Sequence, residues 1–419
     1  MRGNPPRVDR SEAALGPIQS RNRAFFFAGM LSDSLSYQIQ SVAVGWHVFS
    51  LAHRALDLGL VGLALFLPTF AFALPAGVYA DRHDRRVVVA LTALLEATCI
   101  LAFVAAVVTR VTSLPVYLGI LAVIGTARAF GTPATRSLLP SIVAPSGYMR
   151  AQAAFSSLRQ MTIIGGPALG GVLVAISTPL ALGVAALGMI ASAGFLRALS
   201  IEQPVHREPP HLRDALEGLR YIRSQPVVLA AISLDLFAVL FGGATALLPA
   251  FADGIFHAGP QGLGALRSAP ALGAALVAGA IARRPLQRHV GRVLLVTVTG
   301  FGLATIAFGL SRNFALSLAM LALTGATDMV SVVIRNGLVQ LSTPDAMRGR
   351  VNAVENVFIG ASNELGEFES GMLAALIGVV PAVVAGGVGT IAVIAIWALL
   401  SPALRRADRF AGIPVAESS

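Results

Sequence analysis

The chain has 419 residues, of which 55% are hydrophobic and only 12% are charged, and its mean hydropathy is +0.75. An ordinary soluble domain carries about 25% charged residues, so this composition excludes most soluble classes and predicts a protein that crosses a membrane many times. The formal charge is +10, and all 31 basic residues are arginines. These arginines cluster in short polar connections, which favours a role in membrane topology over nucleic-acid binding.

The sequence carries no recognisable catalytic, metal or nucleotide motif. Cys99 is the single cysteine, which excludes a disulfide within the chain and a cysteine-based metal site. The seven histidines lack metal-ligand spacing. Neither a GxxxxGK(S/T) phosphate loop nor a GxSxG nucleophile elbow occurs. We therefore expect no enzyme activity, no cofactor and no metal.

Twelve segments are apolar and long enough, at about 20 residues, to cross a bilayer as helices. They are 24–49, 57–79, 88–109, 114–137, 149–175, 178–199, 226–252, 262–282, 292–311, 314–340, 350–376 and 378–401. Residues 1–23 are basic and polar, and no cleavage site of small residues follows them, so the first segment is predicted to be retained. The expected fold class is all-α membrane protein.

Arginine placement predicts the orientation of these segments. Most arginines lie in the amino-terminal tail, the even-numbered connections and the carboxyl-terminal tail. The opposite side is assigned only four, which are Arg54, Arg110, Arg267 and Arg312. By the positive-inside rule, both termini are predicted to be cytoplasmic.

The longest polar stretch between two segments is 200–225. Its part HLRDALEGLRYIRSQ places apolar residues at helical spacing opposite charged ones, which predicts an amphipathic helix on the membrane surface. A structural linker is favoured here over a regulatory partner site. The predicted organisation is a tail (1–23), a six-helix bundle (24–199), this linker (200–225), a second six-helix bundle (226–401) and a second tail (402–419).

The two bundles repeat each other. APSGYMRAQAA at 144–154 resembles TPDAMRGRVNA at 343–353, and GVYADRHDRR at 77–86 has a counterpart in GAIARRPLQR at 279–288. A parallel repeat of this kind is typical of secondary transporters whose substrate site lies between the halves. Arg283 stands where the first copy has Asp81, so an acid–base latch is expected mainly in the first copy.

The loop GVYADRHDRR resembles the signature loop between the second and third helices of major facilitator superfamily transporters, with Asp84 where a glycine is common. The residues in register are Gly77, Asp81, Arg82, Arg85 and Arg86. Asp81 ends the second segment, where a contact to a neighbouring helix terminus or an arginine would gate one packing of the halves. Arg85 and Arg86 would anchor the loop to anionic headgroups. The alternative is that all are solvated topology charges.

The fifth segment contains IIGGPALGGVL, with Gly165, Gly166, Pro167, Gly170 and Gly171. Glycines at this spacing allow another backbone to approach closely, and the proline bends the helix. The order resembles the antiporter motif of major facilitator drug and metabolite exporters. The alternative is a generic packing face of small residues.

Several ionisable or polar residues fall inside predicted spans. A charged group there costs at least about 2.5 kcal/mol, so each is a candidate for a cavity. Asp33, Tyr37 and Gln40 share one face of the first segment, and Glu96 and Asp235 lie on the third and seventh. Arg128 and Asp328 are repeat-related positions of opposite sign, and Arg335 follows Asp328 by one heptad.

The eleventh segment is the most polar. Asn356, Asn363 and Glu367 form one stripe, and Glu364 lies one turn from Glu367. From a start near Arg350, Glu364 lies about 21 Å deep at about 1.5 Å per residue. A carboxyl group at such depth suits the uptake and release of protons, although helix-to-helix hydrogen bonding or pairing with an arginine is an equal alternative. Proton carriers are therefore predicted among Asp33, Asp235, Glu364 and Glu367.

The resemblance covers about residues 24–401. Within the superfamily, the chain is similar to the enterobactin exporter group of bacterial siderophore and drug exporters. The similarity lies in the loop at 77–86, the linker HLRDALEGLRYIRSQPVV, LLPAFAD at 247–253 and TPDAMRGRVNA. The resemblance implies twelve helices in two six-helix repeats. It also implies a monomer in the bacterial inner membrane and proton-driven export of an amphipathic small molecule. The partners would be this substrate, protons and lipid, without nucleic acid.

If the resemblance holds, the candidates for the substrate cavity are Tyr37, Gln40, Arg128, Asp328, Arg335, Asn356 and Asn363. Arg128 and Arg335 would balance charge or hold an anionic substrate. Two alternatives stay open. One is an uptake transporter of the same fold, and the other is a membrane receptor or scaffold that does not transport.

Overall fold

The structure is a computed structural model that describes residues 17–143, 145–200, 212–284 and 288–401. Within these ranges, the side chains at 17–19, 74, 81, 145, 146, 212–216, 345, 346, 353 and 356 are not described. Most of the predicted amino-terminal tail (1–23), the predicted tail 402–419 and half of the predicted linker therefore lie outside the described residues.

All regular structure in the described ranges is helical. The helices are α1 Pro17–Ala52, α2 Ala55–Arg82, α3 Arg85–Val108, α4 Leu114–Arg136, α5 Leu139–Ile142, α6 Pro145–Ile176, α7 Thr178–Arg197, α8 Leu212–Ser224, α9 Pro226–Phe241, α10 Leu248–Gly254, α11 Gly259–Arg283, α12 Val290–Leu310, α13 Phe314–Ser342, α14 Asp345–Ile377 and α15 Val379–Leu400.

Ten spans in this set are long and apolar enough to cross a membrane. One of them, Pro226–Gly254, combines α9 and α10 through a 3₁₀ turn at Ala244–Leu247. The long helices α1 and α14 are the polar first and eleventh segments, and they complete the twelve crossings. Each of the twelve predicted segments has a helical counterpart.

The packing of the helices repeats between the halves. In the first half, α1 packs against α6 and α7, α3 packs against α4 and α7, and α2 packs against α4. In the second half, α9 packs against α14 and α15, α12 packs against α13 and α15, and α11 packs against α13. Each of these five pairs in one half has its counterpart in the other. The expected fold class, twelve helices in two six-helix repeats, is therefore confirmed.

The described part of the linker docks on the second half. Ile222 of α8 is buried with Val228 and Val351, and the Tyr221 hydroxyl donates a hydrogen bond to Ser342 O at 2.6 Å. Arg350 at the start of α14 pairs with Glu217 at 2.6 Å. The amphipathic helix therefore fastens to the ends of α9, α13 and α14 on the side of the membrane where the chain termini lie.

The halves meet along two helix pairs, α2 with α14 and α6 with α11. Both pairs are tightest at the membrane side away from the termini. A Cβ atom built on Gly371 would lie 2.8 Å from the Gly59 backbone, and one built on Gly171 would lie 2.5 Å from Pro260 O and 3.1 Å from the Gly264 Cα. Glycines therefore allow the backbones of opposite halves to touch there.

Toward the termini the contact between α2 and α14 is lost, whereas α6 and α11 are still joined by Gln160 Nε2, which donates to Ala271 O at 3.0 Å. On α2 the stripe continues from Gly59 to Phe70, which is 56% exposed. On α14 it continues from Gly371 to Gly360, whose Cβ position has no atom within 4 Å, and to Val357, which is 48% exposed. These exposures indicate a cleft between the halves that is closed at the mouth with the glycine contacts and opens between α2 and α14 on the side where residues 17 and 401 lie, which is called the side of the termini.

The glycine contacts give a testable prediction about the closed mouth. The variant Gly171→Leu should separate α6 from α11, because its side chain would meet the backbone of α11. Spin labels at Thr112→Cys and Arg312→Cys, with Cys99→Ala, lie on connections of opposite halves at this mouth. The distance between them, measured by double electron–electron resonance, should increase.

Gly165→Leu is the matched control, because no atom lies within 4 Å of the Gly165 Cβ position. It should leave the distance between the labels unchanged. An unchanged distance in Gly171→Leu would contradict the assignment of this contact as the closure.

Candidate functional site

A cationic cluster lies in the first half beside the cleft. The Arg128 Nε of α4 donates to Glu96 Oε2 of α3 at 3.0 Å, and its Nη2 donates to Gln40 Oε1 of α1 at 3.1 Å. The Arg128 guanidinium also lies 4.4 Å from the centroid of the Tyr37 ring. Asp33, one turn from Tyr37, is within electrostatic range of Glu96 and Arg128. The predicted face of α1 therefore lies around Arg128, which donates two hydrogen bonds within its own half and also lies within electrostatic range of Glu364 of α14.

An acidic pair lies where α14 crosses α2. A Cβ atom at Gly62 would lie 3.2 Å from Glu367 Oε2 and 3.6 Å from Glu364 Oε2, so both carboxylates face the same point on α2. The two carboxylates interact with each other. Glycine at position 62 leaves them the space they occupy. The pair thus lies at the junction of the halves, directly below the closed mouth.

Arg267 is the principal correction to the sequence analysis. It was counted with the arginines of the side opposite the termini although it falls inside the predicted segment 262–282. The structure places it in the third turn of α11, where its Nη1 hydrogen-bonds the Ser41 hydroxyl of α1 in the opposite half. It also lies within electrostatic range of Glu367. The available signal was the spacing of Gly264, Arg267 and Ala271, which puts the arginine on the face of α11 that packs against α6.

Asp235 and Arg335 are placed away from the cleft. They form an ion pair between α9 and α13, and Arg335 Nε lies 3.6 Å from Glu355 Oε1 of α14. The exposed fractions are 8% for Asp235, 4% for Arg335 and 6% for Glu355. Asp235 is therefore already paired, and Arg335 does not face the cleft in which a substrate would lie.

A cavity of about 190 Å³, open on one side, lies among helices of the second half. Its lining includes Asp328 of α13, Asn363 and Glu367 of α14, and Thr245 beside the interruption between α9 and α10. Asn363 Nδ2 donates to Ile359 O at 2.9 Å. The side chain of Asn356 lies outside the described residues. Asp328 and Arg335, predicted on one face, therefore have separate surroundings.

Arg86, expected to anchor the loop at 77–86 to lipid headgroups, makes its contacts within the protein. Asp84 caps α3 by accepting from Arg86 N at 2.9 Å and pairs with the Arg86 guanidinium at 2.7 Å. Arg86 Nη1 also donates to Leu199 O at 2.8 Å, just beyond α7. Arg85 Nη1 lies 3.5 Å from Ser137 O, and Arg82 is exposed. The Asp81 side chain lies outside the described residues, so its gating role stays a prediction.

The glycine motif of the fifth segment lies on α6 between two neighbours. Cβ atoms at Gly166 and Gly170 would lie 2.6 Å from Gln38 Cβ and 3.2 Å from Ile39 Cα of α1. Gly171 and the carbonyl of Pro167 contact α11. Neither Gly165 nor Gly77 of the loop has an atom within 4 Å of its Cβ position, so close packing does not explain these two glycines. Four motif residues thus pack α6 against α1 of its own half and against α11 of the other half.

Among the described residues, no group of three His, Cys, Asp or Glu side chains could hold a metal ion. The site consists of fixed ion pairs, an acidic pair at the junction of the halves and a cavity in the second half.

Comparisons with known proteins agree with this architecture. The family model described as transmembrane secretion effector matches residues 12–417. The enterobactin exporter EntS of Citrobacter koseri and that of Escherichia coli are each 28% identical to the chain over 397 residues, which cover 92% of both proteins.

Solved structures share the fold at low sequence identity. A mutant of the nucleoside transporter NupG matches with a TM-score of 0.72 and 10% identity over 91% of this chain and 99% of its own. A bacterial homologue of the iron transporter ferroportin in the inward-facing state matches with a TM-score of 0.68 and 20% identity over 90% and 98%. From the family match over nearly all its length and the twelve-helix fold, this multi-pass membrane protein belongs to the transmembrane secretion effector family of the major facilitator superfamily of transporters.

Proposed function

We propose that this transporter exports an amphipathic small molecule from the bacterial cytoplasm in exchange for protons. The observation that carries the proposal is the acidic pair Glu364 and Glu367 at the crossing of α2 and α14. Two carboxylates so close together in a medium of low dielectric cannot both remain ionised cheaply, so the pair favours holding a proton. Its position at the junction of the halves allows that proton to affect their packing.

Arg267 would connect the protonation of the acidic pair to the packing of the two halves. Its hydrogen bond to Ser41 joins α11 to α1 across the halves near the closed mouth, and Glu367 is the acid within its electrostatic range. When Glu367 is protonated, Arg267 stays with Ser41 and the mouth stays closed. When the proton leaves, the carboxylate competes for Arg267 and weakens the bond to α1. This is a two-state element of the kind that alternating access requires.

Three observations support this orientation and direction. By the positive-inside rule, the termini and the open side of the cleft would face the cytoplasm of a bacterium. A cleft open to the cytoplasm is the loading state of an exporter. The family description refers to secretion, and the named relatives export enterobactin. The glycine motif on α6, which packs against both halves, agrees with the antiporter reading.

The cleft has an aromatic wall that suits an amphipathic cargo. Phe66 and Phe70 on the α2 stripe have ring centroids 5.5 Å apart, and Tyr37 is exposed in the first half. Aromatic faces bury large apolar area while they tolerate polar groups at their edges. Because Arg128 is occupied by Glu96 and Gln40, we assign it a fixed counter-charge role rather than capture of an anionic substrate.

The buried network of Asp235, Arg335 and Glu355 is assigned a structural role. All three are shielded from the cleft and paired within the second half. A paired carboxylate holds its charge, so Asp235 is a weaker candidate for proton transfer than the acidic pair.

Proton coupling is tested in proteoliposomes. An imposed pH gradient should drive counter-movement of enterobactin or of a macrolide in the wild type. The variant Glu367→Gln should lose this response to the gradient, because an amide cannot exchange a proton at the junction. Flux is measured with radiolabelled compound at several values of the gradient.

Glu369→Gln is the control, because it changes the same side chain on the same helix outside the acidic pair. It should respond to the gradient as the wild type does. Transport by Glu367→Gln with unchanged dependence on the gradient would remove Glu367 as the coupling site.

The direction of transport is tested in cells. Expression of the chain should lower the cellular content of the transported compound, whereas an uptake transporter would raise it. The measurement is accumulation of the same labelled compounds in cells with the gene and cells without it. Higher accumulation in cells with the gene would overturn export.

The structural role of Arg335 predicts a loss of stability. Arg335→Ala leaves Asp235 and Glu355 buried without a counter-charge, and it should lower the free energy of unfolding by about 3–5 kcal/mol. Thermal unfolding of the purified protein in detergent measures the change. Arg312→Ala, on an exposed connection, should leave the melting temperature unchanged. An equal melting temperature for Arg335→Ala would show that the network does not stabilise the fold.

A further inference from the structure

The repeat makes the surroundings of Arg128 and Asp328 directly comparable. Each is preceded in its helix by an equivalent leucine and glycine, which are Leu121 and Gly125 in α4, and Leu321 and Gly325 in α13. The glycines contact the backbones of α2 and α11, which are themselves repeat-related. Asp328 therefore occupies in the second half the place that Arg128 occupies in the first.

The partners of Arg128 have apolar counterparts in the second half. Counted back from His53 and His257, two histidines with left-handed φ that follow the first helix of each half, Gln40 corresponds to Ala244. Counted back from the last residues of α3 and α12, Glu96 corresponds to Val298. The second half thus inverts the central charge, and it has apolar residues at the two positions whose side chains accept hydrogen bonds from Arg128 in the first half.

Asp328 has no charged or hydrogen-bonding partner among the side chains that the structure describes. It lines the cavity of about 190 Å³, which has room for several water molecules, since one occupies about 30 Å³ in the liquid. An ionised carboxylate inside a membrane protein requires a counter-charge or water. In the first half, the guanidinium of Arg128 is the counter-charge of Glu96. In the second half, the space that corresponds to this guanidinium is a cavity.

The oxygen atoms around this cavity suit a cation. Asn363 uses its amide nitrogen on Ile359 O, which leaves its carbonyl oxygen as an acceptor. The hydroxyl of Thr245 also lines the space. The helix α9 ends at Phe241, and the residues Gly242 and Gly243 that follow it line the same cavity. The carboxyl end of a helix carries partial negative charge, and interrupted membrane helices use such ends to hold cations.

We propose that the cavity between α9, α13 and α14 binds a small monovalent cation, with Asp328 as its counter-charge. The cation occupies the place that the Arg128 guanidinium fills in the first half. Either an alkali ion or a small organic cation such as methylammonium or guanidinium meets this chemistry. Glu367 also lines the cavity, and Arg267 lies within electrostatic range of Glu367. A bound cation would therefore adjoin the acidic pair, although the binding site itself does not depend on the proposed export.

Binding is tested on the full chain purified in detergent. Three probes are used at pH 8 and constant ionic strength: ²²Na⁺, ¹⁴C-methylammonium and ¹⁴C-guanidinium. At least one should bind saturably to the wild type, and N-methylglucammonium, which is too bulky for the site, should not compete. The probe that binds distinguishes an alkali ion from an organic cation.

Asp328→Asn should weaken this binding by at least about tenfold, because it removes the full counter-charge without changing the size of the side chain. Asp328→Arg should abolish binding while the protein stays folded, because its own guanidinium would fill the cavity. Asp253→Asn, near the closed mouth and paired with His53, is the matched control and should bind as the wild type does.

Three results would overturn the proposal. The first is the absence of saturable binding of all three probes to the wild type. The second is equal binding by Asp328→Asn and the wild type. The third is a change in Asp328→Asn confined to the pH dependence of transport, which would make Asp328 a proton site. None of these results bears on Glu367→Gln, so the coupling proposal stands or falls separately.

Discussion

The exclusion of uncompensated charge from a bilayer is the constraint on which the organisation of this transporter depends. An ionised group at the centre of a membrane helix costs about 2.5–3.5 kcal/mol before it finds partners. Arg128 meets Glu96 and Gln40, and Arg335 meets Asp235 and Glu355. Of the acids without such partners, Glu364 and Glu367 lie at the junction of the halves, and Asp328 lies beside a cavity. Charges that are paired hold the bundles together, and charges that are unpaired mark the places where protons or ligands can act.

The two halves share one helix arrangement, but they accommodate their central charge in different ways. The first half fills its centre with the side chain of Arg128 and is thereby complete. The second half has Asp328 at the same repeat position, Ala244 in place of Gln40 and an interrupted helix beside it. One half is thus packed around an arginine at this repeat position, and the other has a cavity beside the corresponding aspartate. The movable charges are concentrated in the second half and at the contact between the halves.

The sequence was sufficient for the fold because the membrane imposes a simple rule on each helix separately. Length and hydropathy located all twelve crossings, and the repeat was visible in local motifs such as TPDAMRGRVNA. The face shared by Tyr37 and Gln40 was also correct, since both lie on Arg128. Helical spacing within one segment supplies such information directly.

Contacts between helices could not be predicted in the same way. Arg335 follows Asp328 by one heptad, yet it turns to Asp235 and Glu355, which approach from other helices. Arg267 was only counted among the arginines that set the orientation, because its contact with Ser41 depends on how the two halves pack. Asp84 replaces a glycine common in the loop, and its capping of α3 is visible only with the backbone in place. Spacing defines a face of a helix, whereas tertiary packing decides what that face meets.

The position of Arg267 explains why the glycine contacts and the acidic pair form one device. Gly171 and Gly264 bring the backbones of α6 and α11 together at the closed mouth, and Arg267 lies one turn beyond Gly264 on the same stripe. Any movement of α11 away from α6 must therefore also move Arg267 relative to Ser41 and Glu367. Packed backbones do not deform gradually, so we expect the mouth to have a closed and an open arrangement rather than a continuum. In the proposed mechanism a single proton at the acidic pair is a small change, but it would act on a contact that lies one turn from this closure.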